Sequence, residues 1–337
     1  MSKTIRIVII GVAVVAALAA AVGAYVWREL KLKPVVTQSE WLYIEGGQLS
    51  KPELMEGRNI QWALQLNQNY SKRLAAGELD GAYKLTEGMA ALQLVRKLAR
   101  HQQAPVRITF RDVRSLDQLA GRLAQQLMTD SASIRDAMTE AQLLDKAQLD
   151  RNNILSIFLP DTYEVYWDIA PEALMARMLK EYERFWNDHR REQAQAMGLE
   201  PREVSVLASI AEEETANRHE RGVVGRLYWN RLQKGMLLQA DPTVKFAMGD
   251  FGLKRILLRH LEVESPYNTY RHEGLPPGPI RIVEKATIDS ILTSREHGYL
   301  YMCAKPELNG LHNFAVTLSE HNRNAEAYHA AINRLKN

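Results

Sequence analysis

One cysteine, Cys303, stands among 337 residues. A single thiol closes no intramolecular disulfide and supplies no multi-thiolate zinc site, so packing has to hold the fold together. An excess of one charge is missing too: 43 Lys and Arg face 40 Asp and Glu, a formal +3, too even for a basic footprint. No nucleic-acid partner is implied. With 19 Gly and 12 Pro the chain is neither collagen-like nor low-complexity, and 46% hydrophobic residues suffice for a folded core. Several strong catalytic signatures are absent. There is no GxSxG elbow and no P-loop, and His219-Glu220 opens no HExxH zinc motif because Val223 stands where the second histidine would. At about 150 residues per domain, the length suggests two folded units.

The one long uncharged run is Ile7 to Trp27. At about 1.5 Å per residue it reaches roughly 30 Å, the thickness of a bilayer's hydrocarbon core. Ala19 and Ala21 could mimic a signal-peptidase site, so a cleaved signal is the competing reading. The run exceeds the usual signal core of about 7 to 15 residues, and Tyr25 and Trp27 sit where interfacial aromatics anchor a span. A transmembrane helix over 7–27, after a six-residue N-terminus, is therefore expected. Orientation stays open, because Lys3 and Arg6 precede the span and Arg28, Lys31 and Lys33 follow it.

Beyond the Pro34 linker, Trp41 to Ile44 reads as a strand closed by Gly46-Gly47, and Asn59 to Leu74 as a helix. Gly81 to Leu85 reads as a strand, Met89 to Ala99 as a helix and Val106 to Phe110 as an alternating strand. Together they predict a small α+β unit. Leu116 to Leu149 reads as helical, with Leu116, Leu119, Leu123 and Leu127 in one stripe. Phe158 to Trp167 holds four aromatics, which either stack on sugar rings or fill a core; burial is the simpler reading.

Pro201 opens a helix predicted to run to about Asn217, and its last turn carries Glu212, Glu213 and Glu214. At 100° per residue, Glu214 lies roughly 50° from the apolar direction, Glu212 roughly 110° and Glu213 roughly 150°. Glu214 is thus expected to point inward. A carboxyl group beside apolar packing is harder to ionise and can hold a proton for a leaving group near neutral pH. An acidic solvated face is the plainer alternative, although the macrodipole disfavours three carboxylates at a helix C-terminus. Cys303, in a β-like run, reads as a small core residue, and His312 and His321 read as structural, with no partner at metal spacing. Downstream, Gly235 to Thr243, Ser265 to Tyr270 and Gly274 to Ile280 are rich in Pro, Gly, amide, hydroxyl and phenol groups. They suit a polyhydroxylated ligand better than a phosphate.

These segments carry a resemblance. Leu207-Ala208-Ser209-Ile210-Ala211-Glu212-Glu213-Glu214-Thr215, Leu238-Gln239-Ala240-Asp241-Pro242-Thr243, Tyr267-Asn268-Thr269-Tyr270 and Gly274-Leu275-Pro276-Pro277-Gly278-Pro279-Ile280 resemble the endolytic murein transglycosylases of the YceG-like family. So do Asn230-Arg231-Leu232, Pro160-Asp161-Thr162-Tyr163, Leu300-Tyr301, His312-Asn313-Phe314 and Glu320-His321-Asn322. The resemblance implies an α+β protein: a cytoplasmic N-terminus (1–6), an inner-membrane helix (7–27), a LysM-like subdomain (34–112) and a mixed α/β catalytic domain (113–337) in the periplasm. It implies a lyase that cuts peptidoglycan glycan strands between N-acetylmuramic acid and N-acetylglucosamine, leaving 1,6-anhydro ends, near peptidoglycan synthases. The catalytic acid of the family's Glu-x-Glu-Thr motif falls on Glu214, with Glu212 and Thr215 supporting it; Glu213 departs from the usual intervening residue. Gln239, Asp241, Tyr267, Asn268, Thr269 and Tyr270 are expected to line the cleft, unless they serve only to stiffen their loops. No metal or cofactor is called for. A muramidase-type hydrolase using Glu212 or Asp241 as a second acid, and a non-enzymatic glycan-binding scaffold, are the rival readings.

Overall fold

A computed structural model describes residues 2–253 and 255–336; the outer limits of the division above, 1 and 337, lie outside them. The chain mixes helix and strand, roughly half of it helical. It forms two compact units. The first comprises the chain up to Ile108 with Gln126–Thr129 and Tyr163–Ile169, the second Thr109–Gln125, Asp130–Thr162 and the chain from Ala170 onward.

The first unit begins with helix α1 (Lys3–Lys31), whose apolar stretch has a mean hydropathy of 2.8 and is long and apolar enough to cross a membrane. The helix extends one turn beyond the uncharged run at each end. Near its C-terminus Val26 and Leu30 join the unit's core, and Tyr25 meets Trp62 edge-on at 6.3 Å. Strands β1 (Glu40–Glu45), β2 (Gln48–Leu49) and β3 (Gly81–Leu85) form an antiparallel sheet in the order β2-β1-β3, with Leu42 opposite Tyr83 and Ile44 opposite Gly81. Leu42 and Ile44 are buried while Trp41 and Tyr43 are only partly covered, the alternation of a half-buried strand. The helix predicted over 59–74 is two helices, α2 (Arg58–Gln65) and α3 (Tyr70–Ala75). Asn67 breaks it by donating its side-chain amide to the Ala63 carbonyl at 2.9 Å, offering the backbone a turn in place of a helix. Helix α4 (Ala91–Ala99) packs Leu94, Val95 and Leu98 into the same core, and β4 (Val106–Thr109) pairs with β5 (Thr162–Val165). Of the four aromatics in 158–167, Phe158 and Tyr163 are buried as expected, whereas Tyr166 is 55% exposed and Trp167 half-buried.

The second unit carries α5 (Leu116–Ala124), α6 (Ser131–Met138), α7 (Ala141–Ala147), α8 (Pro171–Phe185), α9 (Asp188–Ala196), α10 (Pro201–Glu214), α11 (Arg221–Gln233), α12 (Asp241–Met248) and α13 (Lys285–Leu292). A hairpin of β6 (Tyr301–Ala304) and β7 (His312–Ala315) precedes α14 (Leu318–Lys336). At its centre lies α10, buried from Val204 to Glu212 and packed on α9, α11, α12 and α13. Helices α11 and α13 approach closely. A Cβ on Gly222 would meet the Ser290 carbonyl oxygen at 2.5 Å, and one on Gly225 the Ile291 Cδ1 at 2.5 Å. Glycine is needed there for proximity, not for an unusual dihedral. Cys303 lies in β6 but is half-exposed, which corrects its assignment to the core; partial burial still pushes its thiol up, away from reactivity.

Candidate active site

Helix α10 opens with Pro201 in its first turn, where the missing N–H costs nothing, and a capping box between Glu200 and Glu203. It stops at Glu214, three residues short of the expected end, because Thr215 is extended (φ −135°, ψ 128°). Thr215 is buried, accepts the Asn217 N–H at 3.1 Å and donates to Glu220 at 3.3 Å. Glu220 in turn accepts the His312 backbone N–H at 2.9 Å and lies 2.8 Å from His312 Nδ1. The residue after Glu214 is thereby tied to β7, and His312 has the structural role expected of it.

The three consecutive carboxylates occupy three environments. Glu212 is the most enclosed, its side chain 1% exposed, which corrects the helical-phase expectation that only Glu214 turns inward. Arg221 at 3.3 Å, Arg281 at 3.5 Å, the Glu284 N–H at 2.9 Å and the Thr287 hydroxyl at 2.5 Å surround it. These donors come from α11, α13 and the segment before α13, so no wheel drawn on α10 alone could reveal them. Burial pushes Glu212's carboxyl up, and the donors pull the other way. Glu213 pairs with Arg114 at 2.7 Å and Arg281 at 2.8 Å, so its charge is answered by two guanidinium groups.

Glu214 is half-buried and faces a cavity of about 410 Å³, a size typical of small-molecule sites. Among the described residues one neutral donor reaches it: the Tyr228 hydroxyl, 2.9 Å from one carboxylate oxygen. Desolvation pushes the Glu214 carboxyl up to about 7; Asp241 and Glu213 add to this, while Tyr228 and Lys245 oppose it. Such a group passes between acid and base near neutral pH, as proton transfer to and from one ligand requires.

Gln239, Asp241 and Tyr270 line the same cavity as Glu214. Tyr270 donates to Asp241 at 2.7 Å, and Gln239 accepts from Arg231 at 2.7 Å. Gln239 also has φ +52°, a left-handed conformation uncommon for a residue with a Cβ. Asn268 and Thr269 are placed differently from the expectation. Both are buried, Asn268 donating to the Leu261 and Val263 carbonyls at 2.8 and 2.9 Å, and Thr269 accepting the Ala240 N–H at 3.0 Å. They brace the loops that carry Gln239 and Tyr270. Tyr267 packs on Phe246 at 4.7 Å and is not part of the cavity wall.

Further wall residues that were not expected include Tyr228, Arg231 and Tyr301. Arg231 donates to the Leu237 and Leu300 carbonyls and lies over the Tyr301 ring at 5.7 Å. The available signal was polar residues three apart on α11, Tyr228 and Arg231, in a helix otherwise buried along the same side. Among the described residues no three His, Cys, Asp or Glu side chains converge as metal ligands would.

Residues 46–327 match the model of the YceG-like family. An endolytic murein transglycosylase of Bacillus subtilis is 28% identical over 280 residues, covering 77% of this chain and 75% of that protein. One from Streptococcus pneumoniae is 24% identical over 288 residues, 75% of this chain and 51% of the longer relative. A crystal structure of a yceG-like protein from Listeria monocytogenes shares the fold, with a TM-score of 0.56 at 24% identity over 85% of this chain and 98% of that one.

Proposed function

The chain belongs to the YceG-like family, and from that premise we propose that it is a lytic transglycosylase acting within peptidoglycan glycan strands, with Glu214 as its acid and base. The observation that carries this is a half-buried carboxyl group in the wall of an open cavity, bonded among the described residues by a single neutral donor, and burial, by pushing that group up, agrees with it. Protonated Glu214 donates to the glycosidic oxygen between N-acetylmuramic acid and N-acetylglucosamine. The C1–O bond breaks, leaving positive charge on the muramic ring. Ionised Glu214 then takes the proton of that ring's own 6-hydroxyl as O6 bonds to C1, closing a 1,6-anhydro end and restoring the acid. No water is consumed. An intramolecular nucleophile needs no second carboxylate to activate it. Gln239, Asp241 and Tyr270 position sugar hydroxyls, Asn268, Thr269 and Tyr267 act through the loops, and Glu212 and Thr215 hold the end of α10.

The hydrolase reading has one point in its favour, the exposed Asp241 carboxylate in the same cavity. Glu212 is not available as its second acid, since it is enclosed by four donors. Resemblance to the family supports the remaining assignments: α1 as an inner-membrane anchor with its N-terminus in the cytoplasm, residues 34–112 as a LysM-like subdomain, residues 113–337 as a periplasmic catalytic domain, and action near peptidoglycan synthases. Mass spectrometry of peptidoglycan digests tests the core of the proposal. Wild type should release anhydro-ended fragments and Glu214→Gln none; reducing ends from wild type would favour the hydrolase, and undiminished cleavage by the variant would remove Glu214 from the mechanism.

A further inference from the structure

His321 lies in the first turns of α14 and lines the cavity that holds Glu214. Its ring stacks on Tyr301 at 5.5 Å with planes 28° apart, and Tyr301 is itself held beside the Arg231 guanidinium. Its Nδ1 is buried without a hydrogen-bond partner. A buried acceptor lacking a donor is tolerated better than a buried N–H lacking an acceptor, so the neutral ring keeps its proton on Nε2. Among the described residues none is recorded as a hydrogen-bond partner of that nitrogen, on a ring that lines the cavity. The fold therefore fixes a ring whose one free group is an N–H donor beside an apolar surface, since Leu318, Met302 and Leu300 form the neighbouring wall. A sugar hydroxyl would use the donor but leave that wall unfilled. An acetamido group uses both, because it carries a carbonyl oxygen and a methyl.

We propose that His321 reads the 2-acetamido group of an N-acetylated amino sugar, its Nε2–H donating to the acetyl oxygen while the methyl rests on Leu318 and Met302. The assignment rests on the glycan-cleaving reading above and names a specificity determinant for that site.

The test uses detergent-solubilised full-length protein and two substrates, N-acetylated peptidoglycan strands and the same strands after enzymatic de-N-acetylation. Wild type should prefer the N-acetylated strands by about tenfold in kcat/KM, the worth of one neutral hydrogen bond with some methyl burial. His321→Ala should bring that ratio close to one, acting more on KM than on kcat, and His321→Gln, whose amide can place an N–H near the lost Nε2, should restore part of it. A wild type indifferent to acetylation overturns the proposal without reference to any variant, as does an unchanged ratio in a folded His321→Ala. If wild type cuts neither substrate, the catalytic reading fails while the recognition claim is still decided. Calorimetry with tri-N-acetylchitotriose and fully deacetylated chitotriose should then show the acetylated sugar binding more tightly to wild type than to His321→Gln, and more tightly to His321→Gln than to His321→Ala. Equal binding of the two sugars to wild type overturns it.

Discussion

Two sites of the second unit hold carboxylates two residues apart, and they treat them in opposite ways. Beneath the end of α10, Glu212 is enclosed by two guanidinium groups, a hydroxyl and a backbone N–H. Beside it, Glu214 meets a single phenol and an open cavity. Burial disfavours both anions, but only Glu212 has its charge answered by cations in contact. A carboxyl group bonded on every side braces helices, whereas a poorly bonded one is free to exchange its proton. Chemical identity and sequence neighbourhood are nearly the same; the donors supplied by other elements separate the roles.

Substitutions at the two positions should fail in different assays. Glu214→Gln should lower the rate of glycan cleavage by about 10²–10⁴-fold, the usual worth of a general acid and base, without lowering the melting temperature. Glu212→Gln should do the reverse in kind, destabilising the second unit by about 1–3 kcal/mol in denaturant unfolding because Arg221 and Arg281 lose a buried counter-charge while keeping Glu284 and Glu213. If Glu212→Gln leaves stability intact and abolishes cleavage, the roles have been assigned the wrong way round.

The pH dependence sharpens the contrast. With Glu214's carboxyl raised to about 7, kcat/KM should fall as pH rises above 7 and the acid ionises. Tyr228→Phe removes a bond to the ionised form, so this alkaline limb should move to higher pH. Stability follows the same sign. A raised folded-state pKa contributes stability that is fully present below the unfolded-state value and lost as pH rises through about 7. Chemical denaturation should accordingly show Glu214→Gln gaining on wild type between about pH 4.5 and pH 7, with no further gain at higher pH. The smallest effect is expected at Glu213. Its bonds to Arg114 and Arg281 are partly solvated, and Glu213→Gln should cost about 1 kcal/mol or less.

Much of this was legible in order of residues. The apolar stretch ending at Trp27, the alternation in β1 and β3, and the start of α10 at Pro201 each rest on patterns that a segment carries within itself. The importance of Glu214 came from phase on one helix, and Gln239, Asp241 and Tyr270 do meet it at one cavity. Hidden from the same reasoning were the break at Asn67, the enclosure of Glu212, and the inward turn of Asn268 and Thr269. Each depends on a partner that periodicity does not represent, whether a carbonyl four residues back or a guanidinium many residues on.

The amino-acid order alone determined most of where helices and strands lie and which stretch suits a bilayer, because these follow from short-range periodicity and composition. Only the tertiary structure decided which acid is answered by charge and which is left to titrate. Solvation and electrostatics depend on distances to groups far away in the chain: Arg221, Thr287 and Arg281 come to Glu212, and Tyr228 and Asp241 come to Glu214, solely because α11, α12 and α13 fold around α10.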